Sequence, residues 1–179
     1  MKIFIIPCND KNYCTLKKKS LEYVADSDKE TIKLGQKLGA LLADGDVVAL
    51  VGELGSGKTW FTKGLALGLG VNPHTVITSP SFAFVNEYKG RYTFFHMDLY
   101  RLESLAELIS AGLEEYLYNN GSVVAMEWAD RWPEILPEQS IKVEFVIIDQ
   151  NHRKITLSGH HPRSIKIMES INKDLVSTT

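Results

Sequence analysis

The chain has 179 residues, 44% hydrophobic and 23% charged, which is enough apolar material for one core and too balanced a composition for a disordered chain. A net charge of -2 excludes a protein that grips nucleic acid unaided by neutralising phosphates, so any contact with RNA is expected to run through a partner. The two cysteines, Cys8 and Cys14, lack the second close pair of a zinc cluster, and no apolar run approaches the roughly 20 residues that span a bilayer, so a cytoplasmic location without membrane contact is expected.

Residues 1–25 carry both cysteines and the run Lys17-Lys18-Lys19, and show no sustained period; they read as an N-terminal extension with one short strand at residues 3–6. The regular domain is expected over residues 26–160, with 161–179 as a C-terminal tail. It opens at Ser27, which with Glu30 has capping-box spacing, and Leu34, Leu38, Leu41 and Leu42 continue at helical intervals. DVVALV at residues 46–51 is a short apolar run suited to a strand buried on both faces. A Gly-rich turn follows, then a helix with Phe61, Leu65 and Leu69 on one face.

After a loop over residues 72–80, the aromatic-rich stretches 82–88 and 92–97, joined at Lys89-Gly90, predict a β-hairpin. Ser104 and Glu107 form a second capping box, and Leu105, Leu108, Ile109, Leu113, Tyr116 and Leu117 predict one amphipathic helix behind it. Residues 123–126 read as another buried strand. Ile141, Val143, Phe145 and Ile147 alternate and pair across a turn with Ile155 and Leu157. Strands alternating with helices first and hairpins later predict an α/β fold in three layers with a mixed, parallel plus antiparallel, central sheet.

Gly52-Glu53-Leu54-Gly55-Ser56-Gly57-Lys58-Thr59 satisfies G-x-x-x-x-G-K-[ST] in full. Its glycines permit torsions that turn successive N–H groups onto phosphate oxygens, and the following helix adds its positive dipole end. Lys58 is the candidate cation for the β- and γ-phosphates and Thr59 the candidate hydroxyl ligand of Mg²⁺. Magnesium also needs carboxylates, and Asp98 and Glu127 stand at the ends of two expected strands. If both strands run parallel to residues 46–51, the turn, Asp98 and Glu127 emerge at one sheet edge, where ligands of open α/β sheets bind.

Asp98 is then a metal ligand, direct or through water, or else a cap for the segment near Ser104. Glu127 orients the attacking water or holds the metal, or else pairs with Arg131. Ser79-Pro80-Ser81 is either a switch-like hydroxyl segment or a Pro-fixed turn. His96 either supports the same edge or is a packed strand-end histidine. Arg101 meets phosphate or partner, or else Glu103 or Glu107.

GELGSGKT, SPSF at 79–82, HMDLYRL at 96–102 and EWADRWPEILP at 127–137, in that order, resemble the TsaE (YjeE) family of bacterial ATPases in tRNA threonylcarbamoyladenosine synthesis. The resemblance spans residues 27–159. It implies a P-loop core with an atypical mixed sheet, weak intrinsic ATPase activity with ATP and Mg²⁺, and action on the TsaD–TsaB pair, which builds the threonylcarbamoyl group on the adenosine beside the anticodon. Contact with tRNA would be indirect, through that complex.

The family pattern places nucleotide contacts on Gly55 to Thr59, a metal-associated carboxylate at Asp98, and required residues at Glu127 and Trp128. The full expected nucleotide set is Glu53, Leu54, Gly55, Ser56, Gly57, Lys58, Thr59, Trp60, Trp128 and Arg131, with Lys58, Glu127 and Asp98 catalytic and Thr59, Asp98 and Glu127 on the metal. Trp128 stacks on adenine, packs on a partner, or is ordinary core. Two departures stand out: Ser81 replaces the family's usual threonine, and the first 25 residues exceed the usual N-terminus.

Two other functions fit a P-loop. A small-molecule kinase needs an acceptor pocket and a basic lid, and no Arg-rich lid segment is visible. A GTP switch needs N-K-x-D, and Asn172-Lys173-Asp174-Leu175 fails at its last position.

Overall fold

A computed structural model of the chain describes residues 3–5 and 19–176. The elements are β1 (Ile3–Ile5), β2 (Lys19–Ala25), α1 (Asp28–Leu41), β3 (Val47–Val51), α2 (Lys58–Gly68), β4 (Val85–Lys89), β5 (Thr93–Asp98), α3 (Leu105–Ser110), β6 (Ser122–Glu127), β7 (Ile141–Ile147), β8 (Arg153–Gly159) and α4 (Pro162–Val176). The strands form one sheet in the order β1-β2-β8-β7-β3-β6-β5-β4. Its centre, β7-β3-β6-β5, is parallel, and every other pairing is antiparallel. This is the expected mixed sheet.

Because β3 and β6 are covered on both sides, β3 is apolar throughout and β6 is apolar over residues 123–126, and the sheet separates two cores. Leu34 and Leu38 of α1, Phe61 and Leu65 of α2 and Ile167 and Ile171 of α4 pack on one face against Val48, Leu50 and Ala125. On the other, Leu108, Leu113, Leu117 and Trp132 pack against Val47, Phe95, Val124 and Met126. Three layers result.

α1 begins where the capping box placed it, with the Ser27 side chain accepting from the Glu30 N–H at 3.4 Å. It lies unusually close to α2. A Cβ at Gly35, Gly39, Gly64 or Gly68 would stand 2.1–2.4 Å from a carbonyl oxygen of the facing helix, so the two backbones touch through glycine. Arg91 ties the pair at their far ends, donating to the carbonyls of Gly39, Ala40, Leu42 and Gly68.

Four stretches differ from the sequence reading. Residues 19–25 form β2, paired with β8 along seven residues; Leu21 and Ala25 point into the core while Val24, on the opposite face, obscures the alternation. The helix expected over residues 105–117 breaks, because Gly112 takes a left-handed φ of 66° and a 3-10 turn, Leu113–Tyr118, replaces the remainder. Residues 162–176 form α4, held by Arg163, which pairs with Asp46 at 2.7 Å and donates to the Leu41 carbonyl at 2.9 Å. The hairpin is shifted inward: β4 starts at Val85, and Phe82 lies before it, largely exposed. The Lys17-Lys18 part of the basic run and both cysteines lie outside the described residues. Among those described, no helix is long and apolar enough to cross a membrane.

Candidate nucleotide site

β3 ends at Val51 and the chain turns through residues 52–57 into α2. Gly55 and Gly57 take φ of 76° and 105°, in the region that side-chain-bearing residues avoid. α1 and α3 have serine caps, whereas α2 has no side-chain cap and no acidic residue in its first turn. Its first N–H groups therefore have no carboxylate or hydroxyl of the helix start competing for them, which suits an anion. Beside them the Ser56 hydroxyl is buried without a partner among the described residues.

Lys58 is 4% exposed. Its ammonium donates to the carbonyls of Gly52 at 2.7 Å and Glu53 at 2.9 Å and lies 4.1 Å from the centre of the Trp128 ring. Burial lowers its pKa, and the negative charges of Glu127, Asp98 and Asp130 oppose that shift only in part.

β5 ends at Asp98 and β6 at Glu127, and the two are register partners in parallel strands, with Leu50 of β3 the next partner of Glu127. Directly paired residues share a face, and residues two apart along a strand share it too. His96, Asp98 and Glu127 therefore lie on the side of the sheet that carries α2. Glu127 Oε1 accepts from the Thr59 hydroxyl at 3.0 Å and contacts His96 Nε2 at 2.8 Å. Asp98 accepts from the Ser79 hydroxyl and, at 2.9 Å, from the Tyr100 N–H. Both carboxylates are 3% exposed. They share a cleft of about 320 Å³ with residues 54–60, Ser79, Ser81, Tyr100, Arg101 and Trp128.

The family model described as threonylcarbamoyl adenosine biosynthesis protein TsaE matches residues 25–155. The chain belongs to the TsaE family. It is 42% identical over 135 residues to the tRNA threonylcarbamoyladenosine biosynthesis protein TsaE of Treponema pallidum, covering 75% of this chain and 98% of that protein. The TsaE of Bacillus subtilis is 34% identical over 156 residues, covering 87% and 96%. The crystal structure of Bacillus subtilis YdiB superposes with a TM-score of 0.72 at 31% identity, covering 88% of this chain and 97% of that one.

In this TsaE-family chain the expected residues are distributed unevenly. Leu54, Gly55, Ser56, Gly57, Lys58, Thr59, Trp60, Asp98, Glu127 and Trp128 all line the cleft. Glu53 offers its carbonyl, to Lys58. Arg131 is elsewhere: its guanidinium donates to the carbonyls of Leu99 and Tyr100 and stacks on Trp132 at 4.9 Å, so it braces the chain after Asp98 instead of lining the cleft. It does not pair with Glu127, and Ser104, not Asp98, caps α3.

His96 is the residue whose part the sequence understated. Its spacing of two from Asp98 on a strand was the available signal. Arg101 lies over the Phe82 ring at 4.1 Å, at the mouth of the cleft.

The donors suit magnesium. A hydroxyl and two carboxylates are hard oxygen groups, and Thr59, by giving its proton to Glu127, keeps both oxygen lone pairs for a cation. Among the described residues no group of three or more His, Cys, Asp or Glu converges as a site held by protein ligands alone would require.

Proposed function

We propose that the chain binds ATP with Mg²⁺ and hydrolyses it, and that turnover serves formation of the threonylcarbamoyl group on the adenosine next to the anticodon in tRNA by acting on the TsaD–TsaB complex. The observation that carries this reading is the meeting of Lys58, Thr59, Asp98 and Glu127 in one cleft at the carboxyl edge of the parallel strands. The names of the relatives supply the pathway, and the motif resemblance supplies the partners.

The N–H groups of residues 55–59 and the Lys58 ammonium bind the phosphates. Thr59 and Asp98 offer oxygen to the metal, which when bound neutralises phosphate charge and polarises the γ-phosphoryl group. Glu127, fixed at one oxygen by Thr59 and His96, is the acceptor that orients the attacking water. Ser79 and the Tyr100 N–H keep Asp98 in place. Trp128 walls the lysine from solvent on one side.

Purified chain, alone and with TsaD, TsaB and tRNA, tests the proposal through phosphate release and tRNA modification. Both should rise together on mixing. Phosphate transfer that depends on a small-molecule acceptor would favour a P-loop kinase instead.

A further inference from the structure

His96 is fully buried, and its register partner across β6 is Ala125, whose methyl group leaves the imidazole room to reach Glu127, two residues further along the same face. Nε2 stands 2.8 Å from Glu127 Oε1, while Nδ1 has no hydrogen-bond partner among the described residues. An ionised carboxylate only accepts, so the proton of this contact is on Nε2. A lone pair on Nδ1 is better tolerated in a core than an unpaired N–H there. A ring kept for packing alone would not favour a polar group half of whose hydrogen bonding is left unmade. The single bond it makes accounts for it.

We propose that His96 is a positioning residue for hydrolysis: its Nε2–H holds Oε1 of Glu127, so that the carboxylate stays aimed into the cleft independently of the Thr59 hydroxyl. Thr59 and His96 approach the same oxygen from different elements, α2 and β5. Thr59 lies in the first turn of α2, directly after the nucleotide loop. His96 lies on a central strand and gives Glu127 a fixed reference. This inference rests on the proposed ATPase reading.

Two variants and one spectrum test it. His96→Leu keeps the bulk and removes the donor; His96→Gln keeps an N–H at similar reach. The leucine variant should lose about 10- to 100-fold in kcat, the size expected for an outer partner of a reacting group, while ATP affinity and KM stay near wild type. The glutamine variant should recover most of the loss. In nucleotide-free wild-type protein, long-range ¹H–¹⁵N correlation should report His96 as the Nε2–H tautomer.

Equal turnover in the two variants, a change confined to KM, or an Nδ1–H tautomer would each overturn the proposal. Should the leucine variant fail to fold, a glutamine variant with near wild-type kcat and the Nε2–H signal would still support it, and either one missing would overturn it. Failure of the ATPase reading shows separately, as wild-type protein that binds ATP yet releases no phosphate with or without TsaD and TsaB, and it takes the inference with it.

Discussion

Asp98 and Glu127 face each other across one rung of the parallel pair β5–β6, both nearly excluded from solvent. Each is held by two donors, Ser79 and the nearby Tyr100 N–H for one, Thr59 and His96 for the other. Two carboxylates so placed make a negative patch that favours a divalent cation, and their different neighbours give them different work. Glu127→Ala should lower ATP turnover by about 100-fold or more while ATP binding persists, since orienting a water contributes little to the ground state. Asp98→Asn should instead raise the Mg²⁺ concentration needed for half-maximal turnover. A magnesium titration of phosphate release, with nucleotide affinity measured in parallel, separates the two. Loss of ATP binding in Glu127→Ala would recast that residue as a metal holder.

Lys58 carries opposite consequences for binding and for folding. Each charge-assisted hydrogen bond to phosphate is worth roughly 1.5–3 kcal/mol, so Lys58→Met should weaken ATP binding by at least about tenfold. In the folded protein burial lowers the lysine's pKa, so the folded state releases this proton at lower pH than the unfolded chain does. The sign follows: as pH rises through that lowered value toward the ordinary 10.5, the unfolded state binds more protons and stability is gained. Urea unfolding of nucleotide-free protein should therefore show wild type gaining stability relative to Lys58→Met across the alkaline range, with the gap flat near neutrality.

The contact between α1 and α2 links the fold's stability to the site. A Cβ on Gly64 would lie 2.1 Å from the Ile32 carbonyl oxygen and 2.9 Å from the Gln36 nitrogen, both backbone atoms that cannot swing aside. Gly64→Ala should cost about 1–3 kcal/mol in urea unfolding, despite alanine's higher helix propensity. Since α2 carries Lys58 and Thr59 in its first turn, forcing it away from α1 should also weaken ATP binding. An alanine variant as stable as wild type would show that the helices separate freely.

What the sequence disclosed about this molecule was mostly local. The loop over residues 52–59 is written in consecutive residues because its torsions and its cation are set within one turn. Asp98 and Glu127 could be placed because apolar runs mark buried strands and the residue that ends such a run marks its tip. The serine caps of α1 and α3 were likewise visible in four residues. The pairing of β2 with β8 joins segments more than a hundred residues apart, and a seven-residue strand with only Leu21 and Ala25 fully buried gives a faint period. Gly112 lies inside a run of helical spacing, and its left-handed backbone ends α3 there. His96 reaches Glu127 only because β5 and β6 are in a particular register, and Arg131 turned to backbone carbonyls that no motif would indicate.

Trp128 gives a last prediction, because its backbone and its ring pull in opposite directions. It has φ 61° and ψ 34°, a left-handed conformation that costs a residue with a Cβ roughly 1–2 kcal/mol. The turn is held there by what the ring does: it packs 4.9 Å from Tyr100 and lies over the Lys58 ammonium, with Glu127 immediately before it in the chain. Strain at such a position persists because the surroundings fix it. Trp128→Ala loses the ring and keeps the strain, whereas Trp128→Gly loses the ring and relieves it. The glycine variant should therefore be the more stable of the two by about 1 kcal/mol in urea unfolding, the reverse of the usual order for these residues. Both should lose partner-stimulated ATP turnover alike, since that loss follows from the missing ring. A glycine variant less stable than the alanine one would mean that the turn relaxes out of the left-handed region once the ring is gone, and that the indole, not the backbone, sets its shape.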